Sequence, residues 1–250
     1  MSTLVKHPQH NRSMTLRSRS PLRHALLPSH PRLRTYVRQT EPIATRWRPL
    51  KALQGIMAIT SYHRGQSIYN QSDPALYWYC VVAGMAKKYA LLEDGRQQIV
   101  DFLLPGDFFG FGVQNAHQFM VEVVVNDTIL ACYPRRETDL LAAREPQLAQ
   151  LMRDIAFDTV SRSQARMIVL GRTTASQKVG AFLVEMANRL PGGSEGEVHL
   201  PMSRYDIADY LGLSFETVSR ALTDLRCRGH ITFVSARTIR IVGLAALNSD

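Results

Sequence analysis

Glu216 and Arg220 stand four residues apart and Ser219 lies between them, a spacing that stacks the outer two one above the other on a helical face. A guanidinium can give two parallel hydrogen bonds to O6 and N7 of guanine, and a carboxylate can accept from the N4 amine of cytosine. An acid turned toward phosphates is costly unless it reads a base donor, so Glu216 beside Arg220 suits a helix that reads a G·C pair. Ser219 is placed to touch a thymine methyl or a neighbouring base edge. Alone, the pair reads more readily as an ordinary surface ion pair on an amphipathic helix.

The surrounding residues decide between those readings. Ile207, Ala208 and Leu211 form the apolar stripe of one short helix, and Gly212 follows where a tight turn needs positive φ. Ser214 can cap a second helix, whose inward stripe is Val218, Ala221, Leu222 and Leu225. Its outward stripe carries Glu216, Ser219 and Arg220, then Arg226 and Arg228. Residues 231–233 and 238–241 alternate as two strands around Ser235, Ala236 and Arg237, the pattern of a β-hairpin wing. Together these predict a winged helix-turn-helix whose second helix enters a major groove of double-stranded DNA. Ser203, Arg204, Thr217 and Arg237 are expected at the DNA backbone, the first three because they lie near helix N-termini.

Phe215-Glu216-Thr217-Val218-Ser219-Arg220 resembles the recognition-helix signature of the CRP/FNR regulators. Its Glu-x-x-Ser-Arg form is similar to the FNR and FixK branch, whereas the catabolite-activator branch carries Arg-Glu-x-x-Gly-Arg. Residues 200–212 (LPMSRYDIADYLG) are also similar to FixK-like proteins. The resemblance covers about residues 50–245. It implies a homodimer on a TTGA…TCAA palindrome, with Arg220 on guanine and Glu216 and Ser219 on neighbouring bases, and recruitment of RNA polymerase. It also implies that Phe215 belongs to the DNA-binding set.

The 250 residues suffice for two ordinary domains, and a 45% hydrophobic content supports globular cores. The expected fold class is α+β: a cyclic-nucleotide-binding-like β jelly roll over 46–143, a dimerisation helix over 144–171 and the winged helix-turn-helix over 172–250. From residue 61 to 134, short strand patterns alternate with turn signals such as Glu93-Asp94-Gly95-Arg96. Leu148, Leu151, Met152, Ile155, Thr159, Ser163, Met167 and Leu170 recur at three- and four-residue steps. The long helix they predict suits a homodimer seam, or else a connector packed on its own barrel. Gly171 marks a hinge, and Thr174-Ala175-Ser176-Gln177 resembles a capping box.

The formal charge of +9 is concentrated in one place. Residues 1–40 hold eight of the 30 Lys and Arg and none of the 21 acids, which leaves the rest nearly balanced. DNA affinity of the folded part must therefore come from a local patch. The tail, 1–45, is expected to be a disordered basic arm. Its Arg- and Ser-rich composition also fits a targeting peptide, or upstream sequence preceding a start at Met14.

Family members that bind cyclic nucleotides follow the Gly-Asp-Phe turn with Gly-Glu and use an Arg-Ser or Arg-Thr pair on the phosphate. Here Gly110-Phe111 lacks the acid and residues 117–120 (HQFM) lack any Arg, so a cyclic nucleotide is not expected. Cys80, Cys132 and Cys227 are isolated, without the N-terminal cysteine cluster of the iron–sulfur branch. Cys80 and Cys132 read as core residues. Cys227, flanked by Arg226 and Arg228, is a candidate redox thiol. The alternative to a constitutive regulator is one gated by haem, a small acid or thiol oxidation. No cofactor, metal site or catalytic residue is predicted, and no apolar run reaches the roughly 18 residues of a membrane span. A cytoplasmic location with no membrane partner follows as the expectation.

Overall fold

The computed structural model describes residues 53–111, 115–172, 174–190, 196–242 and 247. The basic tail and its expected disorder lie outside them. Eight strands build the N-terminal part: β1 Ala58–Tyr62, β2 Ser67–Tyr69, β3 Tyr77–Ala83, β4 Ala86–Leu91, β5 Gln97–Leu103, β6 Phe108–Phe109, β7 Met120–Val123 and β8 Thr128–Pro134. They form two four-stranded sheets, ordered β1-β8-β3-β6 and β2-β7-β4-β5, with every pair antiparallel. Between the sheets Tyr69, Tyr79, Val81, Leu103, Phe109, Val121 and Leu130 make a closed core. This is the expected jelly roll. Gly95, at φ 81°, turns the β4–β5 hairpin.

Among the described residues five helices follow: α1 Arg135–Arg144, α2 Pro146–Leu170, α3 Ala175–Arg189, α4 Arg204–Leu211 and α5 Phe215–Cys227. Three strands, β9 Glu197–His199, β10 Ile231–Phe233 and β11 Thr238–Ile241, form a second small sheet in the order β10-β11-β9. The hairpin wing is present in register Ile231↔Ile241 to Phe233↔Ile239. Strand β9, which the sequence did not single out, pairs with the outer side of β11.

Helix α2 has the expected length of 25 residues, about 38 Å of rise. Its seam needs correcting. Leu148, Met152, Ile155, Thr159, Arg162, Arg166 and Val169, at strict four- and three-residue steps, are buried or half-buried within the chain itself. Leu148, Leu151 and Met152 pack with Cys80, Ala131 and Tyr133 of the barrel. Five of the eight expected seam residues, Leu148, Leu151, Met152, Ile155 and Thr159, therefore pack within the chain. The exposed face keeps Met167 (69% exposed) of the expected residues and adds Phe157 (62%), Val160 (51%) and Ile168 (71%).

The helix-turn-helix is seated on the outer face of the β4–β5 sheet rather than standing apart. Met85, Tyr89, Ile99 and Phe102 share one core with Val179, Phe182, Leu183, Ile207, Tyr210 and Leu222. Polar ties surround that core. Lys87 Nζ lies 3.1 Å from Asp206 Oδ1, and Gln98 donates to the Asp209 carbonyl. Arg189 donates to the Phe102 carbonyl at 2.8 Å and to Asp107 at 2.7 Å. Arg162 joins the other Asp107 oxygen, and Arg166 lies over the Tyr210 ring at 4.1 Å.

Candidate nucleic-acid interface

Local chemistry explains why α4 and α5 meet as they do. Ser203 caps α4 in a reciprocal box: its Oγ accepts from the Asp206 N–H at 3.1 Å, and Asp206 Oδ2 accepts from the Ser203 N–H at 2.9 Å. Gly212 ends α4 at φ 63°, ψ 42°, the left-handed geometry that a side chain disfavours. Ser214 then caps α5 by accepting from the Thr217 N–H at 3.2 Å. Val218, Ala221, Leu222 and Leu225 are buried as expected. The Thr174–Gln177 capping box of α3 is also present, and Ser176 donates to Asp224 of α5 at 2.8 Å.

Glu216 and Arg220 are both exposed on α5. The Glu216 carboxyl is held below its ordinary pKa, first by its own backbone N–H, then by Ser214, with a further contribution from the Arg220 charge. It therefore faces solvent as an ionised acceptor. Arg226 is exposed in the last turn, and Arg237 is exposed in the wing turn, whose backbone is pinned by Arg237 and Thr238 N–H groups donating to Ser235 Oγ. Arg204 opens α4 with its guanidinium 5.8 Å from the Phe233 ring centre.

Three expected residues differ in detail. Ser219 is half-buried, and its hydroxyl is enclosed without a hydrogen-bond partner among the described residues, so it is less outward than Glu216 and Arg220. Ser203 commits its hydroxyl to Asp206, 2.6 Å away. Thr217 shares a 3.0 Å hydrogen bond with Ser214. Phe215 stacks on Tyr205 at 4.4 Å. Sequence reasoning passed over Tyr205, which is 65% exposed, and Phe233; both are aromatic residues at the edges of apolar stripes.

The thiols fall as read: Cys80 and Cys132 are buried, and Cys227 is exposed at the end of α5. In the barrel, Gly110 has φ 89°, and a Cβ there would meet the Tyr77 carbonyl at 2.8 Å. Phe111, at the place of the missing acid, packs edge-on against Trp78 at 4.6 Å. His117 stacks on Tyr69 at 3.5 Å. Among the described residues no group of three or more His, Cys, Asp or Glu is arranged to hold a metal, and no helix is long and apolar enough to cross a membrane.

Jelly roll, long helix and winged helix-turn-helix in this order define a DNA-binding transcription regulator. Residues 59–145 match the cyclic nucleotide-binding domain and residues 177–249 the Crp-like helix-turn-helix domain. The chain belongs to the CRP/FNR family, in its FixK-like branch. It is 41% identical to the nitrogen fixation regulation protein FixK of Rhizobium meliloti over 79% of this chain and 89% of that one. It is 31% identical to the transcriptional activator protein FnrL of Cereibacter sphaeroides, over 79% and 82% respectively. The solved structure of FixK2 from Bradyrhizobium japonicum superposes with a TM-score of 0.72 at 38% identity, over 77% of this chain and 96% of that one. These relatives are transcription regulators, not enzymes.

Proposed function

We propose that the protein acts as a homodimer that reads a TTGA…TCAA-like palindrome through α5 and contacts RNA polymerase when bound. The reading rests chiefly on one observation: Glu216 and Arg220 stand exposed, one turn apart, at the start of a capped helix. Arg220 reads guanine, Glu216 a neighbouring cytosine, and Ser219 contributes after a small side-chain adjustment. Arg204, Arg226 and Arg237, with Thr217 and Ser203 near helix N-termini, meet the phosphates. Phe215 supports Tyr205 at the turn. The dimer forms through the exposed face of α2, where Phe157, Val160 and Met167 repeat at three- and seven-residue steps, as a two-stranded seam requires. A two-fold pair would set the recognition helices about 34 Å apart, one turn of DNA.

A cyclic nucleotide is not part of this reading: Phe111 stands where the ribose-binding acid is expected and packs edge-on against Trp78, and residues 117–120 supply no Arg for a phosphate. Thiol oxidation is the second reading, favoured by the exposure of Cys227 beside Arg226. The test is titration of purified protein with a TTGA-N6-TCAA duplex (about 6 spacer pairs, one turn between half-site centres) and with a scrambled duplex. Preference for the palindrome by about 10³-fold or more is expected. Equal affinities would overturn the assignment.

A further inference from the structure

We propose that Phe233 is a positioning residue that aims two guanidinium groups, those of Arg204 and Arg226, at the DNA backbone; this rests on the DNA-binding reading above. Three separate elements converge on its ring. Arg204 is the first residue of α4, Arg226 lies in the last turn of α5, and Phe233 ends β10 of the wing. The guanidinium carbons stand 5.8 Å and 5.7 Å from the ring centre. Both distances are within the reach of a cation–π contact.

The chemistry of that contact matters more than its strength. Elsewhere in the same domain arginines are fixed by carboxylates: Arg228 by Asp224 at 3.1 Å and Arg240 by Glu197 at 2.6 Å. A carboxylate orients a guanidinium but consumes its N–H donors and cancels its charge. An aromatic face attracts the cation through its quadrupole and leaves the N–H edges free. Among the described residues neither Arg204 nor Arg226 has an ion-pair partner. Phe233 thus orients both groups while leaving their full charge and donor capacity for phosphate. Its ring, Arg204, Arg237 and Tyr205 line a common cleft of about 270 Å³ between α4, α5 and the wing.

The ring also links the wing to the two helices. A phosphate contact made by Arg204 therefore depends on where the β10–β11 hairpin sits, although Phe233 itself need not touch DNA. Such a device carries no base preference. Its loss should weaken palindromic and random duplexes by the same factor.

The experiment measures equilibrium affinity by fluorescence anisotropy on a palindromic and a random duplex across a salt series. The variants are F233L, F233Y, R204A/R226A and the triple variant, each first shown to unfold at a temperature close to wild type. F233L should weaken both duplexes by about 3- to 10-fold, the scale of one or two weakly exposed cation–π contacts. It should also make the salt dependence shallower, because fewer phosphates are engaged. F233Y should retain wild-type affinity. In the R204A/R226A background, F233L should have no further effect. Unchanged binding by F233L, or an equal loss with and without the two arginines, would overturn the assignment and leave the ring as packing alone. A wild type that binds neither duplex would instead overturn the DNA-binding reading on which it depends.

Discussion

At the scale of single residues, charge and exposure separate the side chains proposed to read bases from those that hold the helix in place. Arg220→Ala should cost about 1–3 kcal/mol on a TTGA-containing duplex and relax the preference at the guanine. Competition with duplexes altered at that base is the measurement; an equal loss on random DNA would assign Arg220 to the backbone instead. Ser219 contrasts with it, since its enclosed hydroxyl makes Ser219→Ala the mildest of the three changes on α5. Cys227 is exposed beside Arg226, so peroxide should weaken operator binding of the wild type and leave Cys227→Ser unaffected. Equal loss in both would remove the thiol from regulation. Glu216 and Arg220 were legible from the sequence because a helical period fixes their shared face. Phe233 was not, because its role comes from the meeting of three elements that no local period connects.

At the scale of elements, the helix-turn-helix was readable because its determinants are short-range: two caps, a left-handed glycine and one apolar stripe. Strand β9 carried no such signal. Only Val198 of its three residues is buried, and its partner Ile239 lies far along the chain. The inward face of α2 was hidden for another reason. Arg162 and Arg166 occupy two of its positions and satisfy Asp107 and the Ile99 carbonyl, so a search for apolar spacing drifts to the wrong stripe. The seating of α4 on the barrel was equally invisible, since Lys87 and Gln98 lie more than 100 residues from Asp206 and Asp209, and no local period links them. That seating makes a pH prediction. Burial raises the Asp206 pKa, but hydrogen bonds from Ser203 and the Lys87 charge outweigh it, and the net shift is downward from 3.8. A carboxyl lowered in the folded state contributes stability above its ordinary pKa and loses it as pH falls through the folded value. Lys87 is raised on balance from 10.5, despite the opposing effect of burial, so its share persists until strongly alkaline pH. Asp206→Asn should therefore lower the unfolding temperature at neutral pH and flatten its decline below about pH 4. A wild-type decline retained in full by the variant would contradict the pairing.

At the scale of the whole molecule, the long helix has two faces with different tasks. One holds the barrel and, through Arg166 and Tyr210, the DNA-binding domain; the other leaves Phe157, Val160 and Met167 in solvent. A Phe157→Glu/Met167→Glu variant should sediment as a monomer while keeping its fold, and its affinity for a palindrome should fall toward that for a single half-site. A dimer undisturbed by both charges would place the seam elsewhere. The jelly roll was foreseen from its strand and turn spacing; how barrel, helix and reader share one core required the structure. The most direct test of sequence-specific reading by α5 is unbiased selection of oligonucleotides bound by the purified protein, sequenced after several rounds, under reducing and oxidising conditions. Enrichment of paired TTGA and TCAA half-sites, abolished at the guanine position by Arg220→Ala, is the predicted result. A pool that stays random, or that converges on a motif indifferent to Arg220, would contradict it.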